Sequence, residues 1–214
     1  MNILYAKLSF AFSIILFGIS PLSAADIDPL ETLKQGNKRY VDSTTVCHED
    51  WTAKRTALVD NQKPFAIIVS CSDSRVPPEI IFDQTLGHLF IVRLAGNIVD
   101  EFAIGSIEYG VSILGAKLII VLGHANCGAV NAALKGMKFD NHIQEVLNDI
   151  QPAVAATKGQ RGSPLELATK QNVRNVKETL KASKPLLAKL FADGRLKIEG
   201  GYYHLDTGKV EFFQ

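Results

Sequence analysis

The chain has 214 residues, 47% of them hydrophobic and 21% charged, with 23 Lys+Arg against 22 Asp+Glu. That balance excludes a disordered, collagen-like or rod-forming chain, and near-zero net charge removes the usual electrostatic basis for binding nucleic acid. Three cysteines are too few for a disulfide scaffold, so a single catalytic-sized domain is expected.

Residues 1–25 are set apart from the fold. Lys7 supplies a short basic start, and Leu8 to Ile19 is an uncharged, mostly apolar run of 12 residues. Pro21 breaks the run, and Ser23-Ala24-Ala25 puts small residues where a signal peptidase cuts. Twelve helical residues rise only about 18 Å, short of a hydrocarbon core of roughly 30 Å. The segment is therefore expected to be a secretory signal. The mature chain is expected to be residues 26–214, exported to the periplasm, with no stable membrane anchor after cleavage.

Asp28 to Tyr40 predicts an amphipathic helix, with Asp28 as N-cap and Pro29 at the first helical position. A polar, irregular stretch with Cys47 follows. Phe65–Ser70, Leu89–Arg93 and Leu118–Gly123 are short β-branched runs with no polar alternation, the pattern of parallel strands covered on both faces. Glu101 to Leu114 has helical spacing between the second and third runs. A helix is expected from Ala129 to Lys135, then a polar loop or insert with short helices from Gly136 to Ser163. Pro164–Ala182 and Lys184–Ala192 read as helices. Leu196–Tyr203 and Val210–Phe213 read as a hairpin across Asp206-Thr207-Gly208. The expected architecture is one α/β domain.

Chemistry-bearing residues cluster just after the first and third strands, at the sheet edge where open α/β folds bind ligands. Cys71-Ser72-Asp73-Ser74-Arg75 follows the first, and His124-Ala125-Asn126-Cys127-Gly128 the third. Side by side, those strands would bring Cys71, His124 and Cys127 together. Two thiolates and an imidazole suit Zn²⁺, and three protein ligands leave a fourth position open, the mark of a catalytic site. A Cys71–Cys127 disulfide is the alternative in an exported protein. Asp73 and Arg75 read either as a loop ion pair or as a working pair, with Arg75 holding Asp73 ionised beside the metal. Zn²⁺ lowers the pKa of bound water to about 7, so the residues point to a zinc hydroxide attacking a small electrophile.

The two motifs together resemble the β-class carbonic anhydrases, over a span from roughly Leu30 to the final strands. The resemblance implies four parallel strands plus an antiparallel edge strand, covered by helices, with an N-terminal helical arm that wraps a partner subunit. It implies one Zn²⁺ per chain on Cys71, His124 and Cys127, with Asp73 as fourth ligand in a closed state. Asp73 and Arg75 form the catalytic dyad in the open state. It further implies Gln62, Phe90 and Tyr109 in the substrate cleft, the Gly128 amide on the bicarbonate oxygen, and a homodimer or dimer-based oligomer sharing that cleft. The implied activity is a lyase reaction, reversible hydration of carbon dioxide to bicarbonate and a proton. Alternatives are hydrolysis of carbonyl sulfide or carbon disulfide on the same fold, and a non-catalytic zinc-binding module. One branch of the family has a second, regulatory bicarbonate pocket built on a Trp, an Arg and a Tyr, which match Ile68, Arg93 and Tyr203 here. Ile68 has no N–H to offer an anion, so a resting state with Asp73 on Arg75 is expected.

Overall fold

The computed structural model describes residues 28–46 and 50–213. The proposed signal segment and Cys47 lie outside the described residues. Elements run in the order α1 (Pro29–Val41), α2 (Trp51–Ala57), β1 (Ala66–Ser70), α3 (Pro78–Ile81) and β2 (Leu89–Arg93). A single 3₁₀ turn (Ala95–Asn97) leads to α4 (Glu101–Ser112), β3 (Leu118–His124), α5 (Gly128–Leu134) and α6 (Ile143–Thr157). The chain closes with α7 (Pro164–Ala182), α8 (Leu186–Ala192), β4 (Lys197–Tyr203) and β5 (Val210–Phe213).

The strands form one sheet in the order β2-β1-β3-β4-β5. The first four are parallel, and β5 returns antiparallel to β4. Strand β1 is central to the logic. From it the chain crosses to β2 on one side and then to β3 on the other, so the strand order reverses between β1 and β3. Such a switch point leaves a crevice beyond the strand C-termini, because the connecting helices on its two sides lie on opposite faces.

Alternate strand residues face opposite layers, and both layers are apolar. Ile67, Val69, Ile119 and Val121 pack with Ile107 and Val111 of α4 and Val173, Val176 and Leu180 of α7. Ile68, Ile120 and Leu122 face the other way, onto Leu33 of α1 and Ile81 and Phe82 around α3. That double burial is why these strands carry no polar alternation. A third cluster, with Val130 of α5, Leu147 and Ile150 of α6 and Ala168 of α7, surrounds Cys71 and Cys127.

Two findings differ from the sequence expectation. The stretch expected as loop with short helices contains α6, a full 15-residue helix. Its buried positions, Leu147, Ile150, Ala153 and Thr157, follow helical spacing, but Pro152 and the polar residues between them hide the stripe. The short helices α2, capped by Asp50, and α3, opened by Pro78, are the second difference, and the pattern reveals neither.

The α1 boundaries follow from its caps: Asp28 accepts from the Leu30 amide and Pro29 stands at the first turn. This helix docks on its own chain. The Asn37 amide group donates to the carbonyls of Ile81 (3.1 Å) and Gly208 (2.8 Å), and its oxygen accepts from Val210 N (2.8 Å). One side chain thus ties α1 to α3 and to the β4–β5 hairpin. Asn37→Leu would strand three backbone groups, one in a buried and two in part-buried hydrogen bonds. At about 1–3 kcal/mol per unsatisfied buried group, a loss of about 3 kcal/mol is expected from urea unfolding. An unchanged urea midpoint would show that water replaces the amide at no cost.

Candidate metal centre

Cys71 is the first residue after β1, His124 the last of β3, and Cys127 caps α5 from the turn between them. Parallel pairing sets their meeting: Ser70 lies opposite Leu122, so the exits of β1 and β3 stand next to each other. The Sγ atoms of Cys71 and Cys127 and a ring nitrogen of His124 all lie within 4.8 Å of one another. All three residues are buried, and both cysteines are free. The disulfide alternative is not what the structure holds.

The donor set fits Zn²⁺ on its own evidence. His124 Nδ1 donates to the Ala125 carbonyl (2.8 Å), which leaves Nε2 as the lone-pair nitrogen. That Nε2 is fully buried and has no hydrogen-bond partner. An orphaned imidazole nitrogen beside two sulfurs is a costly arrangement unless a cation accepts all three lone pairs. Two Zn–S bonds of about 2.3 Å span about 3.8 Å at the tetrahedral angle, so small side-chain adjustments close the set. The hydrogen bond from Cys127 lowers the Cys71 thiol, helped by His124 and the Gly96 amide against the effect of burial. Cys127 is pushed up in turn by that same bond and by burial. A dication removes this conflict by stabilising both thiolates.

Asp73 turns away from the trio toward Arg75. Arg75 Nε donates to Asp73 Oδ1 (2.9 Å) and its Nη2 to Oδ2 (2.8 Å), a two-point contact that the Arg75 backbone amide reinforces at 2.9 Å. This contact holds the Asp73 carboxyl well below the usual carboxylate range. Asp73 Oδ2 is still only 3.9 Å from His124 Nε2, so the carboxylate borders the position a metal would take. Arg93 fixes the loop from beneath, donating from Nε to the Cys71 carbonyl (2.9 Å) and from Nη2 to the Asp73 carbonyl (2.5 Å). Arg93 thus serves the loop, Tyr203 pairs with the Tyr40 hydroxyl (3.2 Å), and Ile68 is fully buried in the core.

The other sequence-marked residues lie elsewhere. Gly128 opens α5 next to Cys127. Gln62 precedes β1, whereas Cys71 follows it, so a strand of roughly 3.3 Å per residue separates them. Gln62 and Tyr109 line a surface pocket of about 700 Å³ with Leu58, Leu86 and Ile113. The rings of Phe90 and Tyr109 are 6.3 Å apart. Within one chain these three form their own group, away from the metal ligands. Sequence reasoning missed the Gly96 amide, which donates to Cys71 Sγ at 3.2 Å. Its signal was the Ala95-Gly96-Asn97 turn after β2, where a glycine takes φ 70°.

A family model for carbonic anhydrases matches residues 66–210. Carbonic anhydrase 2 of Mycobacterium tuberculosis (strain H37Rv) is 38% identical over 184 residues, covering 84% of this chain and 89% of its own length. The carbonic anhydrase of Mycolicibacterium smegmatis is 35% identical over 185 residues, covering 85% of this chain and 90% of its own. Among solved structures, the Coccomyxa β-carbonic anhydrase in complex with acetazolamide superposes with a TM-score of 0.67 at 27% identity, covering 88% of this chain and 86% of that one. The chain belongs to the carbonic anhydrase family. Its parallel sheet with an antiparallel edge strand and its Cys-His-Cys centre place it in the β class.

Metal content tests the centre directly. The wild-type protein is expected to hold roughly one zinc per chain, and Cys127→Ser to lose it, since structural-grade affinity depends on every thiolate. Full zinc occupancy in Cys127→Ser would place the metal elsewhere.

Proposed function

We propose that this chain is an exported, zinc-dependent carbonic anhydrase that interconverts carbon dioxide and bicarbonate, CO₂ + H₂O ⇌ HCO₃⁻ + H⁺. The observation that carries the reading is the pairing of a buried Cys71-His124-Cys127 trio with an Asp73 held on Arg75 at its border. Zn²⁺ held by the trio is a Lewis acid that makes water a nucleophile near neutral pH.

The chain's own residues supply the rest. Arg75 keeps Asp73 ionised and turned from the Cys71-His124-Cys127 trio, so that Asp73 would leave a metal held there open to water. Asp73 is then an acceptor for a proton-bearing oxygen next to His124, and it orients that oxygen. The Gly128 amide, at the N-terminus of α5, is placed to donate to a bicarbonate oxygen. The apolar cluster around Cys71 and Cys127 lowers the local dielectric and strengthens these interactions.

The substrate cleft requires a second copy. Strand β2 is an edge of the sheet, and the residues near it leave Leu86, Phe102, Tyr109 and Ile113 exposed. A dimer across that edge would bring Gln62, Phe90 and Tyr109 of one chain to the metal centre of the other. Tetrameric assembly is recorded for β-carbonic anhydrases of Sordaria macrospora that share this fold. Export rests on the basic start, apolar run and small-residue site of residues 1–25, and it would put the mature enzyme in the periplasm. Among the described residues no helix is long and apolar enough to cross a membrane.

Stopped-flow CO₂ hydration beside a carbonyl sulfide hydrolysis assay decides the substrate. Rapid CO₂ turnover with little carbonyl sulfide hydrolysis is expected, and the reverse would assign the chain to sulfide chemistry. Arg75→Ala should keep its zinc and lose about 10²-fold or more in hydration rate, as expected for removing a group that positions a proton acceptor. Near-normal turnover there would reduce the pair to a loop ion pair.

Mixing variants tests the shared cleft. Cys127→Ser chains lack the metal site, and Gln62→Ala chains lack a cleft residue. If the cleft is shared, co-refolded mixtures should regain activity that neither parent shows, because each mixed dimer rebuilds one complete site. Activity equal to the average of the parents would mean that each chain works alone.

A further inference from the structure

Cys71 does not face the metal position unassisted. The Gly96 amide donates to its Sγ at 3.2 Å, inside the apolar cluster that excludes water. Hydrogen bonds to a ligating sulfur draw electron density from it, weaken its donation and leave the metal more acidic. Whether that bond holds depends on how firmly the Ala95–Asn97 turn is fixed.

The turn is an improbable one to leave to itself. Gly96 and Asn97 are consecutive residues in the left-handed region, with φ of 70° and 48°. Asn97 is fully buried, yet neither atom of its side-chain amide has a partner, so that side chain does not hold the turn. On one side, the Leu94 amide donates to the Ser70 carbonyl at 3.2 Å and anchors the start of the turn to β1. On the other side, Asn172 of α7 reaches in. It is 1% exposed, and its Nδ2 donates to the Gly96 carbonyl at 2.8 Å. Gly96 is thus gripped at both peptide groups, its N–H by Cys71 and its C=O by Asn172. Packing adds to the grip: a Cβ at Gly96 would lie 2.6 Å from Ile150 Cδ1.

We propose that Asn172 is a positioning residue for the metal centre: by holding the Gly96 carbonyl, it aims the Gly96 N–H at the Cys71 sulfur and so tunes the donor strength of that ligand. The proposal rests on the zinc-site reading above and extends it to a residue 101 positions from Cys71 in sequence. Nothing in the sequence around Asn172, a polar residue on an amphipathic helix, marks it for such work. Its burial does: an Asn side chain placed inside a helix–sheet interface is expected to make a specific hydrogen bond.

The test uses the full mature protein loaded with Co²⁺ as a spectroscopic stand-in for zinc. Three variants are compared with wild type: Asn172→Ala, the near-isosteric Asn172→Leu, and Val176→Ala. Leu cannot donate to the Gly96 carbonyl but preserves the packing volume. Val176 lies one turn later on the same helix face, buried against the sheet, and its truncation controls for loss of stability alone. With the N–H···S bond loosened, the Cys71 lone pairs rise in energy. The thiolate-to-cobalt absorption should then move to longer wavelength in both Asn172 variants and stay in place in Val176→Ala. Cobalt bands that coincide with wild type in both Asn172 variants, or that move as far in Val176→Ala, would overturn the proposal and leave Asn172 a packing residue. A wild-type protein without any thiolate-to-cobalt band would instead overturn the metal-centre reading itself. A missing CO₂ hydration activity beside an intact band and its shift would reject the proposed reaction while leaving the role of Asn172 standing.

Discussion

The parallel register between β1 and β3 is the constraint on which the site depends, because it decides which side chains leave the two strands together. With Ser70 opposite Leu122, Cys71 emerges beside the His124–Cys127 turn, and all three donor atoms fall within 4.8 Å. A slip of one residue would turn every side chain of β1 to the other face and carry Cys71 away from its partners. The apolar run of each strand guards against that slip. Ile67 and Val69 fit the α4–α7 layer, and Ile68 fits the α1–α3 layer, with both layers fully closed.

The same register creates an electrostatic problem that the surroundings partly resolve. Two buried sulfurs and an imidazole with an unpartnered nitrogen are unstable company in a low dielectric. The protein answers with donors rather than with a countercharge in direct contact. The Gly96 amide meets Cys71, and the Cys127 sulfur sits at the N-terminus of α5, where backbone N–H groups point outward. The guanidinium groups nearby serve other tasks. Arg93 binds the carbonyls of the Cys71–Asp73 loop, and Arg75 holds Asp73. What the donors leave uncompensated is charge for a dication to balance.

Much of this was legible in the sequence because the informative residues are local. The Cys71–Arg75 and His124–Gly128 motifs each occupy five consecutive residues directly after a strand, and the strands announce themselves by unbroken β-branched runs. The helix α1 was readable from Asp28 and Pro29, whose capping roles are intrinsic to those residues. The rest required three dimensions. In α6 a proline and polar side chains mask a stripe that only packing against α5 and α7 makes meaningful. Arg93 reads as the polar end of a strand until its guanidinium is seen beneath the loop. Gln62, Phe90 and Tyr109 form a group on the chain surface, and their relation to the metal is a property of an assembly.

Zinc K-edge absorption spectroscopy on the purified protein tests the central claim most directly, since it reads the atoms bound to the metal without reference to activity. Cys71, His124 and Cys127 with one position left for a light atom predict two sulfurs at about 2.3 Å and two nitrogen or oxygen neighbours at about 2.0–2.1 Å, with imidazole scattering beyond. A shell of four sulfurs, or one with no sulfur at all, would contradict the account, because neither can be built from the side chains that β1 and β3 bring together.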